Sequence, residues 1–129
     1  MFDKSYSEMI QFPEYAQRLD YLKLLGNHVD SPRHISEDFF KSAVWLQTRR
    51  MVIDRDQRFD LGIFGMYIDG SVYVHHINPI TYDDILNMTD RLLSMENLVC
   101  TSLDTHNAIH YKQKRVEYIE RAPGDTKLW

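Results

Sequence analysis

At Phe59 the spacing of apolar residues changes period, and no other feature limits the fold of this chain more. Upstream the spacing is helical. Tyr15, Leu19, Leu22 and Leu25 predict a helix over 13–25, with Pro13 in its first turn and Gly26 just past its end. A loop of Gly, Asn, Asp, Ser and Pro follows to Arg33. A second helix is expected from Ser36, as N-cap, to about Asp54. Glu37 and Asp38 would occupy its first turn, where the helix dipole favours acids. Phe39, Phe40, Val44, Met51 and Val52 would form its apolar face, with Arg49 and Arg50 on the exposed side.

Downstream, Gly62, Gly65 and Gly70 break the chain into short pieces. Met66-Tyr67-Ile68 and Ser71-Val72-Tyr73-Val74, separated by Asp69-Gly70, predict a β-hairpin with a two-residue turn. Its second strand runs into His75-His76 and stops at Pro79. Thr81 to Asp84 fits a capping box ahead of a helix through Ile85, Met88, Leu92 and Leu93. Leu98–Thr101 reads as a strand, and 105–113 as a helix capped by Asp104 or Thr105. A short strand is expected at Val116–Ile119, then an irregular tail. The sum is an α+β chain read as one domain over 1–129. It has a helical part (1–57), a part mixing strands and helices (59–113) and a tail (114–129).

Only one cysteine, Cys100, is present, so neither an intrachain disulfide nor a four-thiolate zinc site can form. The 129 residues are 43% apolar, enough for an unstapled core. No apolar run reaches the ~20 residues that span a bilayer. Met1-Phe2-Asp3-Lys4 lacks the layout of a signal peptide, and the expectation is a soluble, cytoplasmic protein with no membrane partner. A net charge of -4 argues mildly against nucleic acid. Basic residues nevertheless gather at Arg49, Arg50, Arg55 and Arg58, and again at Lys112, Lys114 and Arg115. A basic face and ordinary solvated charge both account for them.

Four of the six histidines fall in two pairs. His106 and His110, four apart, share one helix face and can share one metal ion. His75 and His76 are neighbours on a strand and point to opposite sides, one able to bind metal and the other to meet substrate. Either pair alone also reads as polar surface.

Order adds information. Val74-His75-His76-Ile77-Asn78-Pro79, Glu96-Asn97-Leu98 and Thr105-His106-Asn107-Ala108-Ile109-His110 together resemble the three parts of the HNH endonuclease motif, including the step of nine from Asn97 to His106. Phe39 to Trp45 is similar to the aromatic helix that precedes the motif in phage-type HNH proteins, and Arg121 to Trp129 resembles a tail of some of them.

The resemblance implies a ββα-metal core with flanking N-terminal helices and a short hairpin. It implies a metal-dependent DNA endonuclease or nickase in which His75, His106 and His110 hold one divalent ion. His76 would be the general base, and Asn97 would brace the loop that orients it. A three-imidazole set without carboxylate favours zinc, nickel, manganese or cobalt over magnesium. DNA is the implied partner, with Arg49, Arg50, Arg55, Lys112 and Lys114 as candidate phosphate contacts. Family members of phage type are linked to genome packaging, which brings in terminase or other packaging proteins and, for a phage-encoded chain, the host cytoplasm. The alternative is a non-catalytic, metal-stabilised adaptor of the same fold that binds DNA or terminase. A third reading, an interaction domain without metal, draws only on the acidic charge. The chain departs from the family at Asp56-Gln57-Arg58-Phe59-Asp60, where many members begin a CxxC zinc staple and this one has no cysteine. Cys100 is expected to be buried and inert, Trp45 and Trp129 to pack, and His28 and His34 to lie at the surface or cap. No nucleophile elbow and no glycine-rich phosphate loop is present.

Overall fold

The structure, a computed structural model, describes residues 3–23 and 33–110, as backbone alone for 33–36. The expected strand at Val116–Ile119, the tail, Lys112, Lys114 and His28 lie outside these residues. Among the described residues the architecture is α+β: helices around one two-stranded antiparallel sheet.

The sheet pairs β1 (Tyr73–His76) with β2 (Leu98–Thr101), placing His75 opposite Val99 and His76 opposite Leu98. All four β2 residues are buried, because both faces of the ribbon are covered. One face carries Val99, which packs with Ile77, Leu61, Met9, Leu22 and Ile109. The other carries Leu98 and Cys100, which pack with Phe39, Trp45, Val52, Ile68 and Leu92. A bare two-stranded ribbon is marginal in water, so these two layers hold it.

The expected hairpin over 66–74 does not form. Residues 66–68 pair backwards instead: Asp60 N–H donates to Met66 O (2.8 Å) and Ile68 N–H to Arg58 O (2.9 Å). Arg58 then holds the carbonyls of Ile68 and Gly70, so Asp69-Gly70 is no hairpin turn. The physical reason lies in β2. Its four buried residues need a backbone partner far more than the exposed Met66 and Tyr67 do.

The helices are shorter than their apolar patterns. A one-turn helix, α1 (Tyr6–Met9), precedes α2 (Tyr15–Leu22), which begins after Glu14 and leaves Pro13 outside. The single helix expected from Ser36 to Asp54 is two, α3 (Arg33–Phe40) and α4 (Ala43–Asp56). Ser42 makes the break. Its hydroxyl donates to Phe39 O (2.6 Å) and accepts from Trp45 N–H (3.3 Å), satisfying the end of one helix and the start of the next. On α4 the buried stripe is Trp45, Thr48, Val52 and Asp56, while Val44 and Met51 are exposed. Between the strands the expected helix is again two, α5 (Tyr82–Asn87) and α6 (Asp90–Leu93), parted by left-handed Met88 (φ 50°). The Thr81–Asp84 capping box forms. A turn of 3-10 helix, Met95–Asn97, leads into β2. Helix α7 (103–110) starts earlier than expected and is capped by Ser102, whose hydroxyl accepts from Thr105 N–H (3.1 Å).

Among the described residues no third strand pairs with the outer edge of β2; side chains meet it instead. Arg55 donates to Leu98 O (2.6 Å) and Met95 O (2.7 Å). The Asp56 carboxylate accepts from Cys100 N–H (2.9 Å), and the Asp60 carboxylate from Ser102 N–H (3.1 Å). Two carboxylates, accepting from N–H groups two residues apart on the edge, thus replace a strand's carbonyls.

Candidate metal centre

On β1 the alternation of a strand sends His75 towards α7 and His76 the other way. His106 and His110, one turn apart on α7, meet His75. Nitrogens of the three rings lie within 4.8 Å of one another. The ring centroids are 5.5 Å (His75–His106), 5.3 Å (His75–His110) and 4.6 Å (His106–His110) apart. Tyr73, two residues before His75 on the same face, stacks on His106 at 5.8 Å and helps fix its plane.

Donor chemistry fits a cation here. His75 is 3% exposed, and its Nε2 is buried with no hydrogen-bond partner among the described residues. Leaving such an atom unpaired costs about 1–3 kcal/mol. Burial, then the neighbouring His106 and His110, push the pKa of His75 well below the ordinary histidine value. Burial, then His110, lowers His106 to about 4. These two rings are therefore neutral at pH 7, and each has one nitrogen lone pair able to bind a cation. Three imidazoles would hold a borderline ion such as zinc, nickel or cobalt.

His76 is built differently. Its Nε2–H donates to Leu92 O (3.0 Å), which fixes the neutral tautomer and leaves the lone pair on Nδ1. Trp45 stacks on the ring at 5.3 Å and 21°, and Phe40 closes in at 6.2 Å. Burial lowers the pKa of His76 to about 4, against the opposing pull of the Leu92 carbonyl and Asp84.

Asn97 is fully buried and ties the loop between the strands. Its Oδ1 accepts from Asn78 N–H and Asn78 Nδ2, both at 2.7 Å. Its Nδ2 donates to Asn78 O (3.2 Å) and Arg91 O (2.8 Å). Arg91 adjoins Leu92, the residue that holds His76, so Asn97 acts on that ring through one peptide. Asn78 is clamped in turn by Lys4, whose N–H donates to Asn78 Oδ1 (3.1 Å) and whose carbonyl accepts from Asn78 Nδ2 (2.7 Å).

The basic candidates fare unevenly. Arg49 is not on the exposed side: it is half-buried and donates to Val72 O (2.9 Å). Arg55 lies over the Tyr6 ring at 3.5 Å and binds Asp56, Met95 and Leu98. Its donors serve the interior, which leaves Arg50 as the exposed member of the three.

Sequence reasoning missed Asp56 and Asp60. A signal for Asp56 existed, since it continues the buried stripe of α4 after Trp45, Thr48 and Val52. For Asp60 nothing marked one carboxylate among the charges of 54–60 as buried. No helix among the described residues is long and apolar enough to cross a membrane. No family model, curated protein or solved structure matches this chain.

Proposed function

We propose that this chain is a metal-dependent DNA endonuclease of the HNH, or ββα-metal, type. The observation that carries the reading is the buried, unpartnered Nε2 of His75, on a ring that clusters with His106 and His110 while the adjacent His76 faces away. A purely structural metal site would have no use for that fourth imidazole, held in one tautomer with a free Nδ1.

A divalent ion, when bound, would supply Lewis-acid stabilisation of the charge that develops as a phosphodiester is cleaved. His75, His106 and His110 would hold it through ring nitrogens. His76 takes a proton at Nδ1 from a water whose oxygen bonds to phosphorus as the bond from phosphorus to the leaving oxygen breaks, and the leaving oxygen takes a proton from solvent; Leu92 O keeps the proton on Nε2 and Trp45 keeps the ring plane. Asn97 keeps Leu92 in place. General-base action of this kind contributes ~100- to 10,000-fold. Coupling to terminase or another packaging protein belongs to the same proposal.

The second reading, a metal-stabilised adaptor that does not cut, is favoured by one observation. Buried under Trp45 and Phe40, His76 has a pKa of about 4, which makes it a weak base. Supercoiled plasmid incubated with the protein and manganese or nickel, with a chelator control, separates the two. Nicking that needs metal and disappears in His76→Ala, with metal still bound, supports the enzyme. Cleavage at the native rate by His76→Ala refutes the base assignment, and metal binding without any cleavage supports the adaptor.

A further inference from the structure

We propose that Asp60 is a positioning residue for the histidine cluster, setting the rotation of α7 about its own axis and hence where His106 and His110 stand relative to His75. This rests on the metal reading above.

The geometry is a three-point hold on the first turn of α7. Asp60 Oδ1 accepts from Ser102 N–H (3.1 Å). Its Oδ2 accepts from Ser102 Oγ (2.8 Å) and Thr105 Oγ1 (2.7 Å). Since the Thr105 proton goes to the carboxylate, the Tyr15 hydroxyl donates to Thr105 Oγ1 (2.6 Å) from α2. Thr105 is 1% exposed and directly precedes His106. A cap alone needs none of this, because Ser102 already serves Thr105 N–H.

Asp60 is itself on a stiff mount. Its N–H donates to Met66 O, and the next carbonyl, Leu61 O, accepts from the buried Arg18 guanidinium at 2.7 Å. Rotation of α7 is what such a mount resists. A helix Cα lies about 2.3 Å from the axis, so an imidazole nitrogen lies roughly 6 Å out. A turn of about 10° then moves the nitrogen by about 1 Å, several times the ~0.2 Å spread that metal–ligand distances tolerate. In Asp60→Asn the amide oxygen can stay on Ser102 N–H only with the NH2 group in place of Oδ2, so the Ser102 and Thr105 hydroxyls must both turn from donating to accepting and the charge that held them is lost, which loosens the hold on the first turn of α7.

Cobalt(II) tests this, because its visible absorption reports coordination geometry as well as binding. Native protein, Asp60→Asn, Thr105→Ser, Thr105→Val and His106→Ala are titrated at a temperature where circular dichroism shows each folded. Asp60→Asn is expected to bind cobalt about 10- to 100-fold more weakly, the range for residues that orient metal ligands, with an altered visible spectrum. Thr105→Ser keeps native affinity and Thr105→Val loses about 10-fold, a rescue that follows the hydroxyl and not the fold. Native affinity and spectrum in folded Asp60→Asn would overturn the proposal. Should Asp60→Asn fail to fold, equal affinity in Thr105→Ser and Thr105→Val overturns it. Native protein that binds no cobalt, or His106→Ala that binds as the native does, removes the metal reading itself and this proposal with it.

Discussion

Asp56→Asn should unfold this protein at markedly lower denaturant, and the size of the effect follows from the contacts. Four donors converge on the carboxylate. Tyr6 Oη (3.0 Å) and Arg55 Nε (2.9 Å) reach Oδ1, and Arg55 Nη2 (3.1 Å) and Cys100 N–H (2.9 Å) reach Oδ2. An asparagine must turn its NH2 towards one of these pairs. Facing Arg55 Nη2 and Cys100 sets it against two donors that cannot reverse, so it will face Tyr6, whose hydroxyl can turn to accept. Even then the Arg55 Nε bond is lost and the guanidinium loses its counter-charge. The Asp56 side chain is 0% exposed and that of Arg55 21%. Removing one partner of a buried pair costs about 3–5 kcal/mol. The lower end applies, because Arg55 keeps its bonds to two backbone carbonyls. With a urea m-value of about 2 kcal/mol/M, a loss of about 3 kcal/mol moves the midpoint down by about 1.5 M. Cys100 supplies a second readout. It is the chain's one cysteine, and burial followed by the neighbouring Asp56 pushes its thiol pKa up to about 12. A thiol reagent therefore labels it only through opening, and the labelling rate in Asp56→Asn should rise by the same free energy. A midpoint shift below about 0.3 M with an unchanged m-value would refute the account of Asp56 as a stand-in for a strand.

Acid should weaken the metal-free protein before its carboxylates titrate. Burial holds His76 and His106 at about 4 against an ordinary 6.5, so the unfolded chain binds more protons between those values. Stability is complete above about pH 6.5 and drains towards pH 4, by up to about 3 kcal/mol per ring; a melting temperature flat from pH 7 to 5 contradicts this. Met88→Gly should stabilise by about 1 kcal/mol, since Met88 is 48% exposed and its φ of 50° is a conformation glycine adopts freely. A lower melting temperature for that variant would show that the Met88 side chain packs more than its exposure suggests.

What could be read from the sequence was local. The change of period at Phe59, the β2 segment, the Thr81–Asp84 box and the i, i+4 histidines each depend on residues within one or two turns of one another. What could not be read was decided by competition at long range. Asp69-Gly70 is good hairpin chemistry, yet β1 pairs 25 residues downstream because His76 stands opposite Leu98 in a strand that is buried throughout. The length of the apolar pattern from Phe39 to Val52 hid the break at Ser42, whose hydroxyl competes with the helix for the same backbone groups. Arg55 reads in the sequence as a candidate phosphate contact because two of its partners, Met95 and Leu98, are remote in sequence and offer only carbonyls.

The pairing register of β1 is what separates the two histidine roles. A strand has a side-chain period of two, so a slip of one residue would turn His76 towards α7 and bury His75 among Trp45 and Leu92. The apolar faces oppose that slip only weakly, because Val74 and Ile77 would exchange layers with little change in volume. Polar contacts oppose it strongly. Ile77 N–H donates to Asn97 O (2.8 Å), and the Asn97 side chain takes both the backbone and the amide of Asn78. On the far side, Asp56 and Asp60 fix β2 at Cys100 and Ser102. With β2 held there, a one-residue shift of β1 would break the bonds to Asn97 and leave buried polar groups unpaired, at about 1–3 kcal/mol apiece. The buried polar groups of this small protein therefore do more than cap a free edge. They select the one register in which an imidazole cluster forms on one face of a strand and a solitary imidazole stands on the other.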